Sequence, residues 1–187
     1  MRSITLFLAA ALAAAAAPVV RDIDGKLLNP FNPGGAAVAV FFISTDCPIS
    51  NSYAPEIRGI CRDYRSRGIF CLLVYEDLTI DSAVVRRHLA EYAYSGIPAA
   101  IDAQRYIATR AGATVTPQAV LIGRDGRLRY SGRIDNLYAS LGRPRRQVTE
   151  QDMRQAIDAV LAGKPVSNPQ TTAFGCSIVS PDILEGK

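Results

Sequence analysis

The stretch that decides the fold is Val38-Ala39-Val40-Phe41-Phe42-Ile43-Ser44-Thr45-Asp46-Cys47-Pro48-Ile49-Ser50-Asn51-Ser52-Tyr53-Ala54-Pro55-Glu56-Ile57. Its first half is apolar and rich in β-branched and aromatic residues, which reads as a buried strand over Val38 to Thr45. Its second half reads as a helix from Pro48 to Arg65, with Ile57, Ile60, Cys61 and Tyr64 on one face. Cys47 falls at the junction. A sulfur there lies near the unpaired N–H groups of the first helical turn and the positive end of the helix dipole, and both favour thiolate over thiol. Thiolate is the reactive form, so Cys47 is the candidate redox or nucleophilic residue, provided that its sulfur is reachable from solvent.

On the N-terminal side, Val19 to Leu28 has the pattern of a small hairpin turning at Asp24-Gly25, followed by a Pro/Gly/Asn loop from Asn29 to Gly35. On the C-terminal side, Arg67-Gly68 ends the helix and Ile69 to Tyr75 is a second apolar strand. Ser82 to Tyr94 reads as a helix, Ala99 to Ile101 as a short strand and Tyr106 to Gly112 as a short helix. A strand from Val115 to Ile122 contains Pro117, and Arg124-Asp125-Gly126-Arg127 turns it into a hairpin with Leu128 to Gly132. Thr149 is placed to cap a last helix, Glu150 to Ala162, with Asp152 in the capping-box position. The order β-α-β-α-β, hairpin, α predicts an α/β fold: a mixed central β-sheet with helices on both faces.

With 187 residues, 49% of them hydrophobic, the chain suits one domain with a full core. Ahead of that domain, Arg2 and the alanine-rich apolar block Ile4 to Ala17 read as a secretory signal over residues 1–17. Residues 18–163 then form the domain and 164–187 a tail carrying Cys176. The expected location is secreted or periplasmic, where disulfides persist. The block is short for a membrane span, and no later segment reaches the ~20 apolar residues a span needs. The net charge of +4 is modest, and Arg143-Pro144-Arg145-Arg146 reads as a solvated loop, so no nucleic-acid partner is expected. His88 is the only histidine and lies in a helix without ligand spacing. No phosphate loop or dinucleotide fingerprint occurs. Neither a metal nor a cofactor is therefore expected.

The element order, with Cys47-Pro48 after the first core strand and Thr116-Pro117 before the hairpin, resembles the thioredoxin-like fold. Within it the chain is most similar to the exported redoxin branch, related to the alkyl hydroperoxide reductase and thiol-specific antioxidant group. The resemblance covers roughly Val19 to Gly163. Pro55 matches the proline that kinks the group's first long helix, and the Asp125-Gly126 hairpin follows Pro117 at the expected distance. The resemblance implies a three-layer α/β/α architecture and a cis peptide at Pro117. It further implies that Thr116 and Pro117 dock the backbone of a substrate polypeptide beside the reactive sulfur. Pro48 and Ser50 are expected to border the substrate site and to tune that sulfur, Ser50 by a hydrogen bond.

The chain also departs from the pattern. The second cysteine of the thioredoxin motif is replaced by Ser50, and the buried acid six residues before the first cysteine is replaced by Phe41. A dithiol cycle contained within one helical turn is thus excluded. Four cysteines allow 3 pairings. On a continuous helix Cys61 lies ~21 Å from Cys47 at 1.5 Å per residue, beyond the ~7 Å limit for bridged Cα atoms. Cys61 and Cys71 fall at the opposite end of the sheet and are neighbours, either as a structural disulfide or as two core thiols. Cys176 has ~43 Å of reach beyond Gly163 at 3.3 Å per residue, enough to return to Cys47. Its surroundings, Thr171 to Ile178, are similar to a tail motif of such redoxins, which makes Cys176 the candidate resolving partner.

Three functions compete at this point. The first is thiol–disulfide exchange by Cys47 with protein or small-molecule thiols and disulfides, resolved by Cys176 or an external thiol. The second is thiol peroxidase chemistry, with Ser44 and Arg133 as the nearest stand-ins for the peroxide-orienting residues. The third is a non-catalytic binding or assembly module.

Overall fold

The computed structural model describes residues 20–178; the expected signal segment lies outside them. The hairpin β1 (Val20–Arg21) and β2 (Leu27–Leu28) turns at Gly25, whose φ of +81° suits a residue without a Cβ. The core follows as β3 (Ala37–Ile43), α1 (Pro48–Ser52), α2 (Ala54–Arg65), β4 (Ile69–Tyr75), α3 (Ser82–Glu91), β5 (Ala99–Ile101) and α4 (Tyr106–Ala111). Next come β6 (Val115–Thr116), β7 (Gln118–Gly123), β8 (Leu128–Gly132), a small β9 (Tyr138–Ser140) and β10 (Arg143–Pro144) hairpin, α5 (Asp152–Leu161) and β11 (Cys176–Ser177).

Five strands form the central sheet in the order β5-β4-β3-β7-β8, with β3, β4 and β5 parallel and β7 and β8 antiparallel to their neighbours. Every residue of β3 is buried, because the sheet is covered on both faces. Alternation along the strand sends Ala37, Ala39, Phe41 and Ile43 into one cluster with Ile57, Ile60, Val85 and Ile157 of α2, α3 and α5. Val38, Val40 and Phe42 point the other way, toward Ile107 and Ala111 of α4 and the Phe31 loop. The result is the expected thioredoxin-like α/β/α sandwich.

Both edges of this sheet are overlaid by segments from outside it. On the β5 side, Ile23 N–H donates to the Ala99 carbonyl at 2.8 Å, and Asp22 bridges Ala100. On the β8 side, Ser131 bridges Gln170, with Ser131 N–H bound to the Pro169 carbonyl at 3.0 Å.

Three helical expectations need correction. The helix predicted from Ser82 to Tyr94 ends at Glu91. The helix predicted from Pro48 to Arg65 is interrupted at Tyr53, which closes α1 and opens α2. Pro55, in the first turn of α2, has no N–H to continue the α1 ladder. The last helix begins at Asp152, two residues later than predicted, with no side-chain cap. Thr149 instead pairs with Asn136, receiving Asn136 Nδ2–H at 2.7 Å and donating its N–H to Asn136 Oδ1 at 2.9 Å. Asp152 is held by Arg133 at 2.8 Å.

Candidate active site

Register brings the site together. In the β3–β7 ladder Phe42 faces Gln118, so Pro117 and Thr116 arrive beside the C-terminal end of β3, where the chain bends through Ser44 to Asp46 into Cys47. Cys47 is the N-cap of α1 in an extended conformation, and Pro48 follows at the first helical position. The Thr116–Pro117 peptide is cis. The Cys47 Sγ lies 3.2 Å from the Thr116 carbonyl oxygen, which would accept its proton in the thiol form.

All four cysteines are in disulfides. Cys61–Cys71 joins α2 to β4 at the far end of the sheet, with Cα atoms 5.7 Å apart. Cys47–Cys176 has Cα atoms 6.1 Å apart and closes 129 residues of sequence. The tail reaches Cys47 as a strand: β11 runs antiparallel to β6, Cys176 opposite Thr116 and Ser177 opposite Val115. Beyond it, Ile178 N–H donates to the Thr114 carbonyl at 2.9 Å.

Cys47 is only 1% exposed, whereas its partner Cys176 is exposed. The expectation of a solvent-reachable Cys47 sulfur is therefore corrected for the disulfide form: the accessible cysteine of the pair is Cys176. Pro48 is exposed next to the pair, and Thr116 and Pro117 are buried. Ser50 is buried, and its hydroxyl accepts Ser44 N–H at 3.1 Å. It fastens the loop before the cysteine, and no hydrogen bond from it to Cys47 Sγ is present. Arg133, the stand-in for a peroxide-orienting arginine, is committed elsewhere. Its guanidinium pairs with Asp152 at 2.8 Å and with Glu150.

Several residues at the site carried no clear signal in the sequence. His88, expected at a helix surface or half buried, is 5% exposed. Its Nδ1 meets Tyr75 Oη at 2.8 Å and its Nε2 meets Asn51 Oδ1 at 2.9 Å. Asn51 Nδ2 in turn donates to the Thr45 carbonyl at 2.9 Å, so α3 braces the loop that presents Cys47. Burial holds the His88 imidazole below its usual range, keeping it neutral. Tyr94, read as a helix-surface aromatic, is buried beside His88.

Glu76, read as a turn residue, is buried at the end of β4, and neither carboxyl oxygen has a hydrogen-bond partner among the described residues. Burial, with the Asp102 charge added, pushes its carboxyl up to about 9. Its position directly after seven consecutive strand residues was the available clue. Glu76 lines a cavity of about 280 Å³ together with Ile43, Ser44, Thr116, Cys176 and Ile178.

The tail is anchored before it reaches the cysteine. Thr171 N–H donates to the Ser131 carbonyl at 3.1 Å, and Thr171 Oγ1 receives Arg133 N–H at 3.1 Å. A side chain at Gly132 would collide with Thr171.

A cysteine at the start of α1, beside a cis-proline edge on a β5-β4-β3-β7-β8 sheet, defines a thioredoxin-like protein. No protein-family model matches the chain, and no curated protein matches it. Among solved structures, a hypothetical protein from Sinorhizobium meliloti 1021 is 31% identical over 95% of each chain, with a TM-score of 0.73. An uncharacterized conserved protein from Geobacillus kaustophilus is 25% identical, over 88% of this chain and 90% of that one, also with a TM-score of 0.73. A secreted Mycobacterium tuberculosis disulfide oxidoreductase shares the fold at 14% identity and a TM-score of 0.54, over 79% of this chain and 96% of its own. The protein belongs to one family with the Sinorhizobium protein, and its fold is thioredoxin-like.

Proposed function

We propose that the protein is an exported thiol–disulfide oxidoreductase whose working couple is Cys47–Cys176. The observation that carries this reading is the bond between these two cysteines at the Thr116–Pro117 edge, with the tail strand aligned on that edge. The couple exchanges two electrons with thiols and disulfides: a thiolate bonds to one sulfur, the other leaves as thiolate, and a second thiol completes the transfer. Pro48 and Thr116 flank the couple, and Ser50, Asn51 and His88 hold the loop that presents it.

The second pair, Cys61–Cys71, acts as a structural clamp far from the exchange site. Two disulfides in one chain support a compartment outside the reducing cytosol, as do the apolar N-terminal block and the secreted structural neighbour. No helix among the described residues is long and apolar enough to cross a membrane. Peroxidase chemistry is the less supported reading, because Arg133 is held by Asp152 and Glu150.

The test is equilibration of the purified chain with glutathione buffers, followed by assay of disulfide reduction in a protein substrate. Reversible two-electron titration of Cys47–Cys176, with activity lost in Cys47→Ser, supports the proposal. A couple that no thiol opens, or activity that survives in Cys47→Ser, would end it. Turnover of hydrogen peroxide with a sulfenic acid trapped at Cys47 would transfer the assignment to the peroxidase reading.

A further inference from the structure

In the oxidised chain the Thr116 edge is already filled. Cys176 lies opposite Thr116 in an antiparallel ladder and is bonded to Cys47. Gly175 packs against the Thr116–Pro117 peptide so closely that any Cβ there would run into the Thr116 carbonyl. The tail is fixed upstream at Thr171, five residues before the cysteine, and the buried member of the pair is Cys47.

We propose that residues 175–177 are a tethered internal client. The oxidised chain opens by thiol attack on Cys176 rather than on Cys47. The vacated edge then takes extended polypeptides with glycine immediately before the reacting cysteine. This deepens the oxidoreductase reading and rests on it.

A thiolate of a dithiol reductant bonds to Cys176 Sγ, the Cys47–Cys176 bond breaks, and its electron pair leaves on Cys47 as thiolate. The reductant's second thiolate displaces Cys176 and closes the reductant's own disulfide. Freed as far as Thr171, the tail has a radius of about 17 Å at 3.3 Å per residue, enough to leave the edge. A client strand then pairs with β6, and the Cys47 thiolate attacks the client's disulfide sulfur, releasing one client thiolate. Cys176 returns, attacks the Cys47 sulfur of the mixed disulfide and expels the second client thiol. Because the tail and the client need the same edge, the return of Cys176 also ejects the product.

Two measurements on the full chain test the proposal. In the first, oxidised protein is mixed with glutathione, quenched early with iodoacetamide and mapped by mass spectrometry. Glutathione on the Cys176 peptide with alkylated Cys47 is expected; the reverse distribution overturns the proposal. In the second, reduced protein is offered two disulfide-linked peptides, Phe-Gly-Cys-Ser and Phe-Ala-Cys-Ser. The glycine peptide is expected to be reduced at least about tenfold faster, the size of one steric clash at a tight contact. Equal rates overturn the proposal. If neither glutathione nor a dithiol opens Cys47–Cys176 at all, the oxidoreductase reading itself fails. If the couple opens but through Cys47, only the tail proposal does.

Discussion

Replacing Cys176 with serine separates two states of the tail by the size of the stability loss. Cys47–Cys176 closes a loop of 129 residues. By the chain-entropy relation, that cross-link removes about 5 kcal/mol of conformational freedom from the unfolded chain at 25 °C. If the tail stayed seated after the bond was broken, the folded state would lose nothing in return, and Cys176→Ser would cost the whole amount. The tail is fastened at Thr171, however, so a tail that lifts regains the freedom of a loop of about five residues, roughly 2 kcal/mol by the same relation. The expected cost of Cys176→Ser is then about 3 kcal/mol. Because Cys176 is exposed, the serine leaves no buried cavity to confuse the comparison. The chain contains no tryptophan, so urea unfolding is best followed by far-UV circular dichroism. With m near ~2 kcal/mol/M, the midpoint should fall by about 1.5 M relative to the oxidised protein. A fall near 2.5 M would mean that the tail remains docked without its disulfide. No shift at all would refute the pairing of Cys47 with Cys176 in solution.

The Cys61→Ala/Cys71→Ala double variant opens a loop closed over only 10 residues, so its entropic loss is about 2.7 kcal/mol, while glutathione opening of Cys47–Cys176 should be unchanged. Altered exchange there would show that the two disulfides are coupled. Glu76 keeps its proton in the folded chain up to about pH 9 and sheds it near 4.5 when unfolded, so its contribution is full below 4.5 and is lost as pH rises. Glu76→Gln should therefore gain on the wild type by up to about 1.4 kcal/mol per pH unit between pH 5 and 8. Parallel melting curves for the two proteins would refute the buried-acid assignment. His88 has the opposite sign: its folded imidazole resists protonation, so stability falls as the pH drops below about 6.5. His88→Gln should flatten that acid limb in a melting series from pH 7 to 5, and an unchanged limb would show that His88 does not contribute to it.

How much of this was legible in the sequence differs from element to element. Ile69–Tyr75 and Ala99–Ile101 were readable to the residue, because both strands are apolar throughout and bounded by turn signals. The Cys-Pro and Thr-Pro pairs marked the junctions that converge on the site. The split at Tyr53 was missed because Pro55 is equally at home in a kinked helix and in the first turn of a new one. The β6–β11 ladder was missed because two-residue strands have no periodicity, and its register depends on the disulfide and on the fit of Gly175. The His88–Asn51–Thr45 chain was illegible for another reason. It joins residues 37 and 6 positions apart, whose meeting depends on how α3 packs against α1.

The overlay of both sheet borders by residues 22–23 and 169–171 bears on solubility in the proposed redox cycle. An unpaired border strand is a template for other chains, and a protein that repeatedly sheds a segment risks exposing one. Here the part of the tail that covers β8, Pro169 to Thr171, lies upstream of the part that must move. The molecule can therefore open its reactive end while its ladder stays closed to neighbours, and the reduced form should resist self-association at concentrations where a chain cut before Pro169 would aggregate.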